Sequence, residues 1–448
     1  MTLKEILQKI GEKHGVTELN PMQKAVGGAK SERVILLAPT GSGKTLAFAV
    51  PLISRLRQRD NADAFVQAVI MAPSRELVIQ IADVIRPVAF GDGNGFKTVA
   101  LYGGHSMQEE VNSLTVVPDI IVATPGRLLD HINRGTVDVT RANALVLDEY
   151  DKALELGFHD QMRRIVKRMR SMRYVTLTSA TAAVELPDFI DMSQAKRIDY
   201  SSKSESPRSR TVVTIARSEN KDKLAALATL LCAIPHGKTI VFVNHRESAE
   251  RTHAFLKKAG FPAGLYHGGL DQLQRELAID MLNNGTTPVL VSTDLGSRGL
   301  DIDAVLNVVH YHIPPTQESW THRNGRTARV DADGNVYMLL SKAETVPDYV
   351  DYDQEIDIEE GSELASGYPA SESATIYFNV GKKEKISKAD VLGFLSKQSG
   401  LASGEVGKIV VKDHCAIAAV PRLKADEVLL SVANAKIKGQ RVKITMYQ

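Results

Sequence analysis

The chain has 448 residues, 43% of them hydrophobic and 24% charged, with a formal net charge of +2. That balance is ordinary for a soluble protein with chain enough for about three domains, and it excludes a disordered polyelectrolyte. No apolar stretch approaches the ~20 residues that cross a bilayer, and the start lacks the basic and apolar runs of a secretory signal. A cytoplasmic protein with no membrane partner is expected. Cys232 and Cys415 lie too far apart to read as a metal or disulfide framework. From 1 to 200, the apolar runs VILLA (34–38), AVIMA (68–72), DIIVA (119–123), ALVLD (144–148) and YVTLTSA (174–180) alternate with helix-like stretches. Such runs predict strands of a parallel sheet covered on both faces. The polar stretch 201–212 reads as a linker. The pattern restarts over 213–345 with KTIVFVN (238–244), PVLVSTD (288–294) and LNVVHYHI (306–313). Residues 348–363 then hold eight carboxylates and no base, so 346–372 reads as an acidic linker kept extended by self-repulsion. The final stretch, 373–448, carries 13 Lys and Arg against 6 Asp and Glu. Its predicted order is β-α-β-β-α-β, a small α+β domain of ferredoxin-like type. The fold class is thus α/β: two tandem parallel-sheet domains followed by a small α+β domain.

The chemistry enters at APTGSGKT (38–45), between a predicted strand and a predicted helix. That context makes Ala38, Pro39, Thr40, Gly41, Ser42, Gly43, Lys44 and Thr45 a phosphate-binding loop. The glycines let backbone N–H groups face an anion, and the helix N-terminus adds its dipole. Lys44 suits the β- and γ-phosphates, and Thr45 suits Mg²⁺. Such a loop calls for a second strand ending in a metal-holding carboxylate. ALVLD supplies Asp148, and Glu149 follows as the base that activates water.

These residues and others in matching order resemble DEAD-box RNA helicases over about 1–345, with two RecA-like domains. The further motifs are ELNPMQ (18–23), PSREL (73–77), Gly103-Gly104, TPGR (124–127), SAT (179–181), QLQR (272–275), STDLGSRGLD (292–301) and HRNGRTAR (322–329). The resemblance implies ATP and Mg²⁺ as cofactors and RNA as partner. It implies that Gln23 reads adenine and Asp301 holds ribose. Arg326 and Arg329 are implied as arginine fingers on the γ-phosphate, catalytic together with Lys44, Asp148 and Glu149. Asp151, Ser179, Thr181 and His322 are implied to couple nucleotide state to domain closure. Arg75, Gly104, Thr124 and Arg127 in the first domain, and Gln272, Arg275, Thr293 and Arg298 in the second, are implied to grip the RNA backbone. Two positions depart from the family: Tyr150 replaces its alanine, and Ala328 stands where glycine is usual. No assigned chemistry uses a side chain at 150, so an intact ATPase is expected. The phenol is expected near the contacts that join its motif to Ser179–Thr181 or His322.

The last domain is similar to the RNA-recognition-motif-like C-terminal domain of DbpA-type helicases, through TIYFNVGKKEKISKADVLGFL, GEVGKI and KIKGQRVKI. That similarity implies targeting to large-subunit ribosomal RNA during assembly. The expected RNA surface is basic: Lys382, Lys383, Lys385, Lys436 and Lys438, with Arg441 and Lys443. The function expected is therefore local, ATP-dependent unwinding of RNA duplexes by a monomer. The motifs do not separate this from an ATP-gated RNA clamp or chaperone with little unwinding; a DNA translocase is the weaker reading, because the ordered motifs resemble the RNA-acting group.

Overall fold

Strands β2, β4 and β5 below are short, apolar and buried along their whole length. A strand apolar on both faces needs cover on both, which parallel crossovers through helices provide. The computed structural model describes residues 5–6, 8–9, 16, 18–39, 41–57, 64–89, 95–104, 106–180, 186–201, 211–297, 302, 305–327, 333–359, 367–433 and 435–447. It divides into two units: Met1–Arg208 with Arg298–Leu300, and Ser209–Ser297 with Asp301–Gln448.

In the first unit, α1 (Pro21–Gly27) precedes β1 (Arg33–Leu37) and α2 (Lys44–Arg55). Next come β2 (Ala68–Met71), α3 (Arg75–Ala89), β3 (Thr98–Leu101), α4 (Met107–Ser113), β4 (Ile120–Ala123) and α5 (Pro125–Asn133). The unit ends with β5 (Ala144–Leu147), α6 (Tyr150–Glu155), α7 (His159–Val166), β6 (Tyr174–Ser179) and β7 (Lys196–Asp199). Its parallel sheet has the order β3-β4-β2-β5-β6-β1-β7. Side chains alternate across the sheet. Val69, Met71, Leu145 and Leu147 enter one core, while Ala68, Ile70, Ala144 and Val146 enter the other. The order also sorts the loops at the carboxyl edge. Those after β3, β4 and β2 fall to one side, and those after β5, β6 and β1 to the other.

The second unit repeats the plan. It contains β8 (Thr211–Ser218), α8 (Leu224–Ala233), β9 (Thr239–Phe242), α9 (Arg246–Lys258), β10 (Ala263–Tyr266) and α10 (Gln272–Asn283). After these come β11 (Val289–Ser292), β12 (Asn307–His310), α11 (Gln317–Asn324), β13 (Gly334–Ser341) and β14 (Gln354–Ile358). The sheet, again parallel, has the order β10-β11-β9-β12-β13-β8-β14. Two boundaries move relative to the sequence reading. Residues 211–212, expected in the first linker, begin β8. The acidic stretch is not all linker, because β14 pairs in parallel with β8. Ile358 is buried in the core there, and Arg217 pairs with Glu355 at 2.6 Å. A countercharge on the neighbouring strand offsets part of the repulsion that the acidic run implied.

The C-terminal domain belongs to this second unit. It runs β15 (Ser373–Phe378), α12 (Lys388–Ser399), β16 (Ile409–Val411), β17 (Ala416–Pro421) and α13 (Ala425–Val432), then the β18 (Lys436–Ile437) and β19 (Gln440–Arg441) hairpin, and β20 (Ile444–Tyr447). Its antiparallel sheet has the order β16-β17-β15-β20. Helix α12 starts on a Ser387/Asp390 capping box and stops at Gly400, which has φ +69°. No described helix is long and apolar enough to cross a membrane.

Candidate functional site

The loop from Ala38 to Gly43 joins β1 to α2. Gly41 and Gly43 have φ +80° and +87°, a left-handed region that glycine enters freely. Lys44 is buried, and its ammonium donates to the carbonyls of Ala38 at 2.7 Å and Pro39 at 3.1 Å. The loop is braced from behind by α1. Asn20 and Gln23 form a reciprocal capping box. The Asn20 amide also donates to the Ser42 carbonyl at 3.0 Å, and the Gln23 amide donates to the Gly43 carbonyl at 3.1 Å. Gln23 is thus bound to the loop. Asn20 is a bracing residue that sequence reasoning did not single out, although Asn before a helix and Gln three positions later is a cap signature. Thr40 lies outside the described residues.

Asp148, Glu149 and Asp151 are all buried at the end of β5. The neighbouring strand β6 supplies a second unforeseen residue, Thr178. Its hydroxyl donates to the Asp148 carboxylate and accepts from the Glu149 N–H at 3.1 Å. Burial pushes the Asp148 carboxyl up, while the Thr178 hydrogen bond and the Lys44 ammonium act against that rise. Glu149 has φ +48°, uncommon for a residue with a side chain. Left-handed backbone there starts α6 directly after the strand. Ser179 is buried, and its carbonyl accepts from the Ala38 N–H at 3.0 Å, which ties β6 to the phosphate loop. Thr181 lies outside the described residues.

The Tyr150 ring is buried in the first unit. It is 2% exposed and belongs to the apolar core that includes Leu147, Ala153, Leu177 and Ile190. Burial, with the Asp151 charge, pushes the phenol up to about 12. A methyl at this position leaves most of that volume empty. Tyr150→Ala is therefore expected to destabilise the first unit by about 3 kcal/mol, seen as a lowered melting midpoint, with ATP turnover per folded molecule retained. A variant as stable as wild type would show that the ring fills no space the fold needs.

On the other side of the carboxyl edge, Arg75 opens α3, and a Cβ on Gly103 would lie 3.2 Å from its guanidinium. Gly104 has φ +98°. Thr124 stands at the N-terminal boundary of α5 without a side-chain capping bond, and its N–H donates to the Leu101 carbonyl at 3.0 Å. Arg127 is held by Glu110 of α4 at 2.5 Å. Glu110 also accepts from the Tyr102 N–H at 3.1 Å and contacts the buried His131 at 2.8 Å. This single buried carboxylate fixes the Gly103–Gly104 loop and Arg127 together. Sequence reasoning missed it because its partners lie on two other elements.

The second unit repeats this arrangement in corresponding places. Arg246 opens α9 after β9, and a Cβ on Gly268 would lie 3.1 Å from its guanidinium. The Thr293 N–H donates to the Tyr266 carbonyl at 3.2 Å. On α10, Gln272 accepts from Arg275 at 2.6 Å. Arg246 was not anticipated; the internal repeat reveals it. Arg323 is fully buried and donates to Asp294 at 2.5 Å, Asn244 at 2.8 Å and the His312 carbonyl at 3.1 Å. It anchors α11, which carries His322, to the loops after β9 and β11, and Arg326 lies in the turn beyond. Arg298, Asp301, Ala328 and Arg329 lie outside the described residues.

In the C-terminal domain, Lys382, Lys383, Lys385, Lys436 and Lys438 are exposed. Lys438 donates to the Lys385 carbonyl at 2.9 Å, joining the 382–385 loop to the β18–β19 hairpin. It also pairs with Asp390 at 2.7 Å, which holds that carboxyl down at about 2, with the Ser387 cap adding to the effect. Of the expected basic surface, Lys438 is thus internally neutralised. Tyr377 and Tyr447 lie side by side on the sheet, with ring centroids 5.7 Å apart.

Two parallel sheets of this order, each with its polar residues at the carboxyl edge and one with a phosphate loop, define a pair of RecA-like motor domains. Residues 20–189 match the DEAD/DEAH box helicase family, 222–331 the helicase conserved C-terminal domain and 375–446 the DbpA RNA binding domain. The ATP-dependent RNA helicase DbpA of Bacillus subtilis (strain 168) is 30% identical, over 96% of this chain and 95% of that protein. DbpA of Escherichia coli (strain K12) is 32% identical, with the same coverage of 96% and 95%. Among solved structures, S. cerevisiae Dbp5 bound to RNA and ADP BeF3 shares the fold, with a TM-score of 0.67 and 22% identity over 81% of this chain and 95% of that one. The chain belongs to the DbpA-type DEAD-box RNA helicases, enzymes that hydrolyse ATP and act on RNA.

Proposed function

We propose that this helicase is addressed by its C-terminal domain to large-subunit ribosomal RNA and unwinds it locally during subunit assembly, as a cytoplasmic monomer. The observation that carries the reading is the exposed lysine cluster on a domain matching the DbpA RNA binding domain. ATP is assigned to the side of the first sheet that holds β5, β6 and β1. Gln23 retains a second hydrogen-bonding position on each amide atom for adenine. Lys44 exchanges loop carbonyls for phosphate. Hard oxygen donors suit Mg²⁺, and the Thr45 hydroxyl with the buried Asp148 carboxylate fits that description. When bound, the ion neutralises phosphate charge. Glu149 orients and deprotonates water, and Arg326 and Arg329 stabilise charge on the γ-phosphate. Asp301 is assigned to the ribose. Asp151, Ser179, Thr181 and His322 are assigned to coupling nucleotide state to closure on RNA. Arg75, Gly104, Thr124 and Arg127, with Arg246, Gln272, Arg275, Thr293 and Arg298, hold the RNA backbone without reading bases.

The test is ATPase activity of the full chain with no RNA, generic RNA or large-subunit ribosomal RNA. The expected half-saturating concentration is about tenfold lower for ribosomal RNA, and this preference disappears in Lys382→Glu/Lys383→Glu/Lys436→Glu. Equal stimulation by any RNA removes the proposed target.

A further inference from the structure

The C-terminal domain touches the second RecA-like domain through polar contacts centred on α10 and the turn after it. Thr375 of β15 is fully buried, and its hydroxyl bonds Asn284 at 3.0 Å and Thr286 at 2.7 Å. The Ser371 hydroxyl donates to the Gly285 carbonyl. Lys412, in the turn between β16 and β17, lies 2.8 Å from both Glu276 and Asp280. Those two carboxylates are one helical turn apart on α10 and repel each other unless a cation sits between them. Burial draws the Lys412 ammonium down, but Asp280 and Glu276 outweigh it and leave the lysine raised and charged.

The contact continues inward. The other Glu276 oxygen accepts from the Gln272 amide at 3.0 Å, and the Gln272 carbonyl accepts from Arg275 at 2.6 Å. One chain of bonds therefore runs from Lys412 of the C-terminal domain through Glu276 and Gln272 to Arg275. We propose that Lys412 is a positioning residue for the helicase core: by neutralising Glu276 and Asp280 it fixes Gln272 and keeps Arg275 directed to RNA phosphate. This rests on the assignment of Gln272 and Arg275 to the RNA path. Without the lysine, Glu276 and Asp280 repel each other, Glu276 shifts, and Gln272 no longer holds Arg275 in place. Docking of the targeting domain thereby sets the strength of the core's hold on RNA.

The test is ATPase of the full chain at saturating ATP, titrated with polyadenylate. Lys412→Met is expected to raise the half-saturating RNA concentration about fivefold to tenfold, with kcat and the RNA-free rate within about twofold of wild type. Lys412→Arg keeps the wild-type titration. Glu276→Gln introduced into Lys412→Met recovers most of the loss, because the repulsion with Asp280 is gone and the amide oxygen still accepts from Gln272. A direct Lys412–phosphate contact predicts no such recovery, and that result overturns the relay, as does an unchanged titration in Lys412→Met. Lys412→Gln serves in the same assay if Lys412→Met does not fold. Arg275→Ala separates the two assignments. If it leaves the titration unmoved, the RNA path is wrong; if it weakens RNA while Lys412→Met does not, only the relay is wrong.

Discussion

Glu149→Gln is expected to lower ATP turnover in saturating RNA by about 10²–10⁴-fold while ATP and RNA affinities stay within about twofold of wild type. The substitution keeps size and shape and removes only the basic oxygen. The backbone bond that holds the residue is untouched. The Thr178 hydroxyl accepts from the Glu149 backbone N–H, not from its side chain. The left-handed backbone, φ +48°, is no harder for Gln than for Glu. The Asp148 carboxylate keeps its own bond from Thr178. Removing one of three buried carboxylates also relieves repulsion at this strand end, so binding does not suffer. Phosphate release measured beside equilibrium binding of ATP and of single-stranded RNA separates chemistry from affinity. Turnover at the wild-type rate would falsify the assignment of Glu149 as base.

The phosphate loop and the Asp148 strand end were legible because their chemistry restricts residue type at fixed spacing. Backbone wrapping requires glycine, and the second strand must end in a carboxylate. The two sheets were legible through runs such as AVIMA and DIIVA, which only a doubly covered strand accommodates. What stayed hidden acts across elements. Thr178 looked like any strand threonine until β6 paired beside β5. Glu110 was one of two glutamates in a short polar stretch, and only the fold brings it to Arg127 and His131 of α5. Arg246 emerged once β9 was seen in the place that β2 occupies in the first sheet. Strand β14 was hidden by its charge, since the compensating Arg217 lies far away in sequence. The depth at which Tyr150 sits was not legible either: helix α6 begins at this residue and the ring is buried in the core with Leu177.

Gly43→Ala is expected to weaken ATP binding by about 30-fold to 100-fold, from two effects in series that together amount to roughly 2–3 kcal/mol. The first is backbone conformation: φ +87° is costly for any residue with a Cβ, by about 1–2 kcal/mol. The second is collision, because the new Cβ would sit 2.5 Å from the Gln23 amide nitrogen. An ordinary flexible glutamine would swing aside. This one is pinned, since its amide oxygen accepts from the Asn20 N–H at 2.9 Å and its nitrogen donates to the Gly43 carbonyl. Moving it breaks the α1 capping box, with a typical loss of about 1 kcal/mol. The strain therefore falls on the loop, whose N–H groups turn away from the phosphates. The melting midpoint should move little, because the loop lies at the sheet edge. Gly43→Ala/Gln23→Ala separates the two effects: it removes the collision but not the φ penalty, so ATP affinity recovers at most in part and adenine contacts are lost as well. An equilibrium titration with a fluorescent ATP analogue reads both variants. Wild-type affinity in Gly43→Ala would mean that the loop does not hold phosphate in this backbone conformation.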